Sequence, residues 1–392
     1  MVACIVGVVS SQGTAPLPDM RPDTRAKPDT PWQVHVAYGS PASTSLTVTW
    51  QVQRETRDAV VEYGSTPKLG SRVDALRIVY ASATGVTYAA KLDGLKPAST
   101  IHYRVGRPGA WSQIFATRTA PTAPTPFMFT SFGDQGVLAA GRQSLADITA
   151  DAPDFHVLLG DVSYANGFQP IWDAWFDMME PFAARIPVMP AIGNHEYEKD
   201  IGPMSYLGRF TLPEDELQYT FDWGDVRFVV ANTVLGMTDA QLEWLDRSLA
   251  QARKDRVRWL IVCQHFPLFG TTAGRGFNMP LITRESAVID KYDVDLVLCG
   301  HDHVYERSYP VVGRKPVTDE RTHYRKGMGP IHVIAGGGGA GLYKFAPRPS
   351  TFNAIRELTH ARLRVTVPVD GALRVEAVRP DGSTLDRFEI AP

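Results

Sequence analysis

Asp295-Leu296-Val297-Leu298-Cys299-Gly300-His301-Asp302-His303 is the stretch on which the reading of the fold turns. Its short continuous apolar run reads as a strand buried on both faces. Gly300 then lets the backbone turn sharply and approach a site closely, and two imidazoles follow. The same order recurs three times, and a fourth time without the glycine. Phe127 to Phe132 leads into Gly133-Asp134-Gln135-Gly136, and Phe155 to Leu159 into Gly160-Asp161-Val162-Ser163-Tyr164. Val188 to Ile192 leads into Gly193-Asn194-His195-Glu196, and Trp259 to Cys263 into Gln264-His265. Helical patterns separate some of these runs. The clearest begins at Thr238, an N-cap with Gln241 three residues on, and repeats Leu242, Leu245 and Leu249 on one face. Strand–loop–helix alternation predicts an α/β architecture with a largely buried sheet.

Ligands in such sheets gather at the carboxyl ends of the strands. The five polar clusters are therefore expected to converge. They bring two carboxylates, a phenol, an amide and three imidazoles: Asp134, Asp161, Tyr164, Asn194, His265, His301 and His303. That is too many hard or borderline donors for one zinc. It suits two ions side by side with one carboxylate between them. His301 and His303 share a face if the segment is extended, which turns Asp302 away. No thiolate joins the set; Cys263 and Cys299 read as small packing residues. His35, His102, His156, His332 and His360 read as ordinary surface or core residues.

Upstream, Ala120 to Pro126 carries three prolines, at 121, 124 and 126, and reads as a stiff linker. From Trp32 to about residue 119 the period is two: Val34, Val36 and Tyr38, then Leu46, Val48 and Trp50, with turn residues between. This predicts an antiparallel sandwich, and Leu95, Pro97, Thr100, Tyr103 and Val105 resemble the late strands of a fibronectin type III domain. The expected division is a tail (1–31), a sandwich (32–119), a linker (120–126) and a catalytic domain (127–392). Val2 to Val9 is a short apolar run ahead of a polar, Pro-rich stretch. It reads either as a plain tail or as the remnant of a signal-peptide hydrophobic region; export is the reading adopted. The chain of 392 residues is long enough for two or three domains. Forty Lys and Arg against 42 Asp and Glu give a net charge of −2, which argues against a dedicated nucleic-acid binder. No apolar run is long enough to span a membrane, and three cysteines exclude a disulfide scaffold.

The five motifs, in this order, resemble the metallophosphoesterases, and Tyr164 narrows the resemblance to the purple acid phosphatases. It extends over nearly the whole chain from Trp32, including Ser163-Tyr164-Ala165-Asn166, Tyr219-Thr220-Phe221-Asp222 and His303-Val304-Tyr305-Glu306-Arg307. It implies a four-layer αββα sandwich (α/β, or α+β) after the fibronectin-like domain. It implies that Asp134, Tyr164 and His303 hold Fe(III), and that Asn194, His265 and His301 hold a divalent Zn, Mn or Fe. Asp161 would bridge the two ions. His195 would face the substrate phosphate without binding metal, donating a proton to the leaving group. Hydroxide on the metals would attack phosphate monoesters at acidic pH.

The sequence departs from the plant-type pattern after His265. Phe266 to Asn278 contains no histidine. Arg275, Asn278 and His323 are the expected substitutes for the missing donor. Glu196 is expected to support His195 by hydrogen bonding, and the glycines at 336–339 and 341 to form a tight loop near the site. Two rival readings stay open: a phosphodiesterase or nucleotidase using two divalent ions, and a non-catalytic surface binding protein. The substrates expected are small phosphate esters; oligomeric state is left open.

Overall fold

The computed structural model describes residues 28–80, 83–234, 236–275 and 278–392. The apolar run at residues 2–9, on which export was read, lies outside the described residues.

The N-terminal strands are β1 (Trp32–Tyr38), β2 (Leu46–Val52), β3 (Val60–Gly64), β4 (Ser71–Asp74), β5 (Leu76–Ile78), β6 (Val86–Leu92), β7 (Thr100–Arg107), β8 (Ala110–Trp111) and β9 (Phe115–Arg118). They form two sheets, β1-β2-β6-β5 and β4-β3-β7-β8, with β9 also paired to β7. The alternation in β1 predicts one wet face, yet every residue of β1 is buried. The remainder of the chain supplies the reason. The Val34 N–H reaches the Glu180 carboxylate at 3.3 Å, and His35 is wedged between the carbonyls of Gln33 and Arg209 at 2.7 and 2.8 Å. An edge strand that would otherwise invite pairing is thus covered. The Pro-rich segment is tied to both sides. The Ala120 N–H donates to Ala42 O, and Pro121 O accepts from the Gly224 N–H.

The second half contains β10 (Phe127–Phe132), α1 (Ala139–Asp151), β11 (Phe155–Leu159), α2 (Gln169–Ala183), β12 (Val188–Ala191), α3 (Met204–Arg209), β13 (Tyr219–Trp223), β14 (Val226–Ala231), α4 (Asp239–Lys254), β15 (Trp259–Gln264), α5 (Met279–Lys291) and β16 (Leu296–Cys299). It continues with β17 (Tyr305–Ser308), β18 (Val311–Val312), β19 (Lys315–Pro316), β20 (His323–Arg325), β21 (Ile331–Ala335), β22 (Asn353–Glu357), β23 (Arg362–Val367), β24 (Leu373–Val378) and β25 (Thr384–Ala391). Two mixed sheets result, ordered β12-β11-β10-β23-β24-β25-β20 and β13-β14-β15-β16-β21-β17-β22.

The continuous apolar runs have a simple cause. Alternate residues of β14, β15 and β16 serve different cores. Phe228, Val230, Ile261, Cys263, Leu296 and Leu298 face the other sheet. Val229, Leu260, Val262, Val297 and Cys299 pack with Leu245 and Leu249 of α4 and Leu281 and Ile289 of α5. Neither face is wet, so neither face is polar. Phe129 and Phe155 meet Phe228 edge-on across the sheets, at 5.1 and 5.2 Å. With α1 and α2 on the far side of the first sheet, the layers run αββα. Both cysteines are buried as expected, and α4 starts at Thr238 with the reciprocal Thr238–Gln241 cap. No described helix is long and apolar enough to cross a membrane.

Candidate metal centre

All five ligand-bearing loops leave the carboxyl ends of strands: β10, β11 and β12 in one sheet, β15 and β16 in the other. The site therefore sits across the two sheets. Gly160 turns the second of these loops as expected, with a φ of 81°, and the ligand residues add turns of their own. Asp134, Asp161, Tyr164 and His301 themselves adopt left-handed backbone, with φ of 61°, 50°, 59° and 68°. Such conformations cost about 1–3 kcal/mol each and persist where surrounding structure imposes them. Gly300 is needed for close approach instead. A Cβ there would lie 2.7 Å from Asp134 Oδ2. The segment from His301 to His303 is likewise a bend, not extended chain.

Two overlapping groups of ligand atoms form: Asp161, His265 and His301, and Asp134, Asp161 and His303, each within 4.8 Å of one another. Asp161 belongs to both. Around the first group, His265 Nε2 lies 3.2 Å from Asp161 Oδ1 and 3.1 Å from Asn194 Oδ1. His301 Nδ1 lies 3.3 Å from His265 Nε2. Around the second, Tyr164 Oη lies 3.0 Å from Asp134 Oδ1 and 2.8 Å from His303 Nε2. All seven expected ligands are thus brought together in two halves about Asp161.

Partners behind the ligands set their orientation. His265 Nδ1 donates to Leu159 O, and His303 Nδ1 to Gly341 O, each at 2.7 Å. Those carbonyls leave Nε2 of both rings aimed into the cluster. Asp134 Oδ2 accepts the His301 N–H at 2.7 Å, and Asp161 Oδ1 accepts the His195 N–H at 2.9 Å. The glycine run does lie beside the site: Gly341 holds His303, and the Ala340 N–H donates to Asp134 O. His360, read as ordinary, bonds Gly337 O at 3.0 Å.

Glu196 corrects one expectation. Its buried carboxylate does not touch the His195 ring. It accepts the N–H groups of Gly193, Asp161 and Val162 at 2.8, 2.8 and 2.9 Å, tying the β12 loop to the β11 loop. The His195 ring instead donates from Nδ1 to Asn166 Oδ1 at 2.6 Å and lies over Tyr164 at 4.4 Å. Its side chain keeps 28% exposure, and Nε2 lies 3.7 Å from Asp161 Oδ2. Asn166 was not singled out as a site residue; only its place in the Ser163–Asn166 stretch hinted at one.

The expected substitutes for the missing histidines separate clearly. His323 sits exposed on β20 beside Glu320, Thr322 and Glu389, with no contact to the cluster. Asn278 caps α5 through the Leu281 N–H. Arg275 alone reaches the cluster, bonding His301 Nε2 and donating to Tyr343 Oη at 2.9 Å.

The electrostatics fit cations. The atoms turned inward are carboxylate, amide and phenol oxygens and imidazole nitrogens, the ligand types of hard and borderline cations. Burial and the Asp134 and Asp161 carboxylates push the Tyr164 phenol well above its ordinary pKa, so a phenolate there needs a compensating positive charge. Burial works against the His265 imidazolium, but Asp161 outweighs it and holds the pKa up at about 9. Burial, His265 and Arg275 push His301 well down. Two cations would displace the ring and phenol protons held here and take up the same atoms.

Residues 136–305 match the calcineurin-like phosphoesterase family, and residues 31–119 match the purple acid phosphatase N-terminal domain. Purple acid phosphatase 22 of Arabidopsis thaliana is 30% identical over 87% of this chain and 80% of its own. A Mycobacterium tuberculosis protein described as uncharacterized is 32% identical over 78% of this chain and 69% of its own. The solved purple acid phosphatase of yellow lupin seeds superposes with a TM-score of 0.84 at 26% identity, over 93% of this chain and 75% of that one.

Proposed function

The chain belongs to the purple acid phosphatases, a phosphoesterase family with a dinuclear metal centre, and on that premise we propose that it hydrolyses small phosphate monoesters at acidic pH. The observation that carries the reading is the sharing of Asp161 between two groups of ligand atoms. Asp134, Tyr164 and His303 would hold Fe(III); Asn194, His265 and His301 would hold Zn, Mn or Fe(II). Bound together, the two cations neutralise phosphate charge and make hydroxide available from water at low pH.

The chain's own residues do the remainder. Asp161 keeps the two halves in register, itself fixed by the His195 N–H. Glu196 holds the Asp161 loop through the Asp161 and Val162 N–H groups and its own loop through the Gly193 N–H. Asn166 keeps a proton on His195 Nδ1. With the ring doubly protonated at acidic pH, Nε2–H, 3.7 Å from Asp161 Oδ2, would hydrogen-bond a phosphate oxygen and pass its proton to the leaving alkoxide, the ring returning to neutral imidazole. Tyr164, once its proton is displaced, contributes a phenolate that favours ferric over ferrous iron.

The loop without histidine supports one rival, a diesterase acting with two divalent ions. Rates on p-nitrophenyl phosphate and bis-p-nitrophenyl phosphate from pH 4 to 8, with metal content measured on the same sample, separate the two. The proposal expects the monoester to be preferred, with its optimum on the acid side. A preference for the diester overturns it. Absence of turnover with no bound metal supports the non-catalytic reading instead. We also propose export, from the apolar run at residues 2–9; cell fractionation checks that.

A further inference from the structure

The three imidazoles of the cluster are not held alike. His265 and His303 each turn one nitrogen to a backbone carbonyl, which fixes a proton on that side and leaves the other nitrogen for a cation. His301 turns Nδ1 to the cluster, and its Nε2 meets Arg275. A guanidinium has donors only. Nε2 must therefore accept, and the neutral ring then carries its proton on Nδ1, the nitrogen facing the cluster. A cation on Nδ1 needs that lone pair. The ring proton would then sit on Nε2, against the Arg275 N–H. The Arg275–His301 bond and a cation on His301 Nδ1 exclude each other.

Arg275 does not leave when that bond breaks. Nη2 donates to Tyr343 Oη at 2.9 Å, and the guanidinium lies 4.5 Å above the Tyr343 ring. Tyr343 is itself stacked on His303 at 4.0 Å and 10°. The group stays tethered over the cluster with one donor edge released. Asp302 Oδ1, at 3.7 Å, is its nearest carboxylate. Among the described residues, Arg275 is the only guanidinium or ammonium group in contact with the cluster. A cavity of about 330 Å³, lined by Phe266, Pro267, Met279 and His301, opens beside it.

We propose that Arg275 is the phosphate-positioning residue of this enzyme, and that the divalent ion releases it from His301 to do so. The inference rests on the phosphatase reading above. It predicts a preference for dianionic phosphate groups, which can take both a charge and a forked pair of hydrogen bonds from Arg275.

The test uses the full-length protein and its Arg275→Ala and Arg275→Lys variants, with two affinities read besides turnover. The first is for Zn²⁺, titrated into metal-depleted protein against a chelator. The second is for inorganic phosphate on metal-loaded protein. Arg275→Ala is expected to bind the divalent ion several-fold more tightly, because nothing competes for the ring tautomer. It is expected to bind phosphate about tenfold more weakly, the loss of one charge-assisted contact. Arg275→Lys should recover part of the phosphate affinity. Opposite shifts support the proposal; a merely structural role would weaken both affinities. Two affinities falling together, or neither changing, overturns it. Failure of wild-type protein to bind two ions or to turn over p-nitrophenyl phosphate would instead sink the phosphatase reading, whatever Arg275 does.

Discussion

Asp386 on β25 and Arg307 on β17 meet between the two sheets, as the metal ligands do, and both groups are buried. There the likeness ends. Arg307 Nε and Nη2 bond the two Asp386 oxygens at 2.6 and 3.0 Å, Nη1 bonds Tyr324 Oη at 2.8 Å, and Tyr305 Oη donates to Asp386 at 2.7 Å. Donors answer acceptors, and the cluster is closed. Around Asp161 the grouping is of another kind. Two carboxylates, an amide oxygen, a phenol and three imidazoles are turned on one another, on four residues of left-handed backbone. Among the described residues no guanidinium is forked onto these carboxylates, and atoms of these types gathered within ligand reach suit bound cations, so this cluster is the one with a function. A buried polar group alone says little; the chemistry of its neighbours says what is to be bound.

That contrast can be broken from either side. The largest effect is expected from Asp161→Ala, the residue common to both halves. Activity should fall to background and metal content from two ions towards none, read by elemental analysis on folded protein. Normal metal content and turnover would overturn the assignment. His195→Ala should retain both ions yet lose about 10²–10⁴ in kcat, the usual contribution of a positioned proton donor. Metal loss in that variant would mean His195 is a ligand. Arg307→Met should do the reverse. It should cost about 3–5 kcal/mol of stability in urea titrations, because Asp386 is left charged and buried, with metal content per folded molecule unchanged. Glu196→Gln should cost about 10–100-fold in metal affinity or activity, as expected of a group that orients ligands.

The smallest expected effect concerns an imidazole outside the cluster. His156 is buried beside Phe132 and Phe182, and burial holds its pKa down at about 3. The unfolded chain takes up that proton near 6.5, so the folded state binds fewer protons between the two values. The stability linked to His156 is then full above about pH 6.5 and declines as pH falls towards 3, by about 1.4 kcal/mol per pH unit. In His156→Phe, the drop in stability from pH 7 to pH 5 should be smaller than in wild type by about 2 kcal/mol. An unchanged difference would place a proton on the folded histidine.

The ligand loops were legible because their signal is local. A strand, a glycine and a donor follow one another within ten residues, and the Thr238 cap is equally local. What escaped reading depends on partners distant in sequence or invisible in it. The tautomers of His265 and His303 are set by the carbonyls of Leu159 and Gly341, which no side chain announces. Glu196 lies next to His195 in sequence, yet its carboxylate serves the loop after β11. His323, chosen for its chemistry, lies on an edge strand away from the site, and only the fold shows that, of the three candidates, Arg275 is the one that reaches the cluster. β1 alternates like a half-wet strand but is sealed by contacts with residues more than a hundred positions on. The antiparallel run from β23 to β25 carries no motif and went unread.

The central claim is a two-ion centre in which Tyr164 binds ferric iron, and the visible absorption spectrum of aerobically purified protein tests it most directly. Metal content should be measured on the same samples of wild type and Tyr164→Phe. The account predicts a broad purple or pink band in wild type that disappears in Tyr164→Phe. Wild-type protein carrying two ions without the band, or a band that survives loss of the phenol, would contradict it.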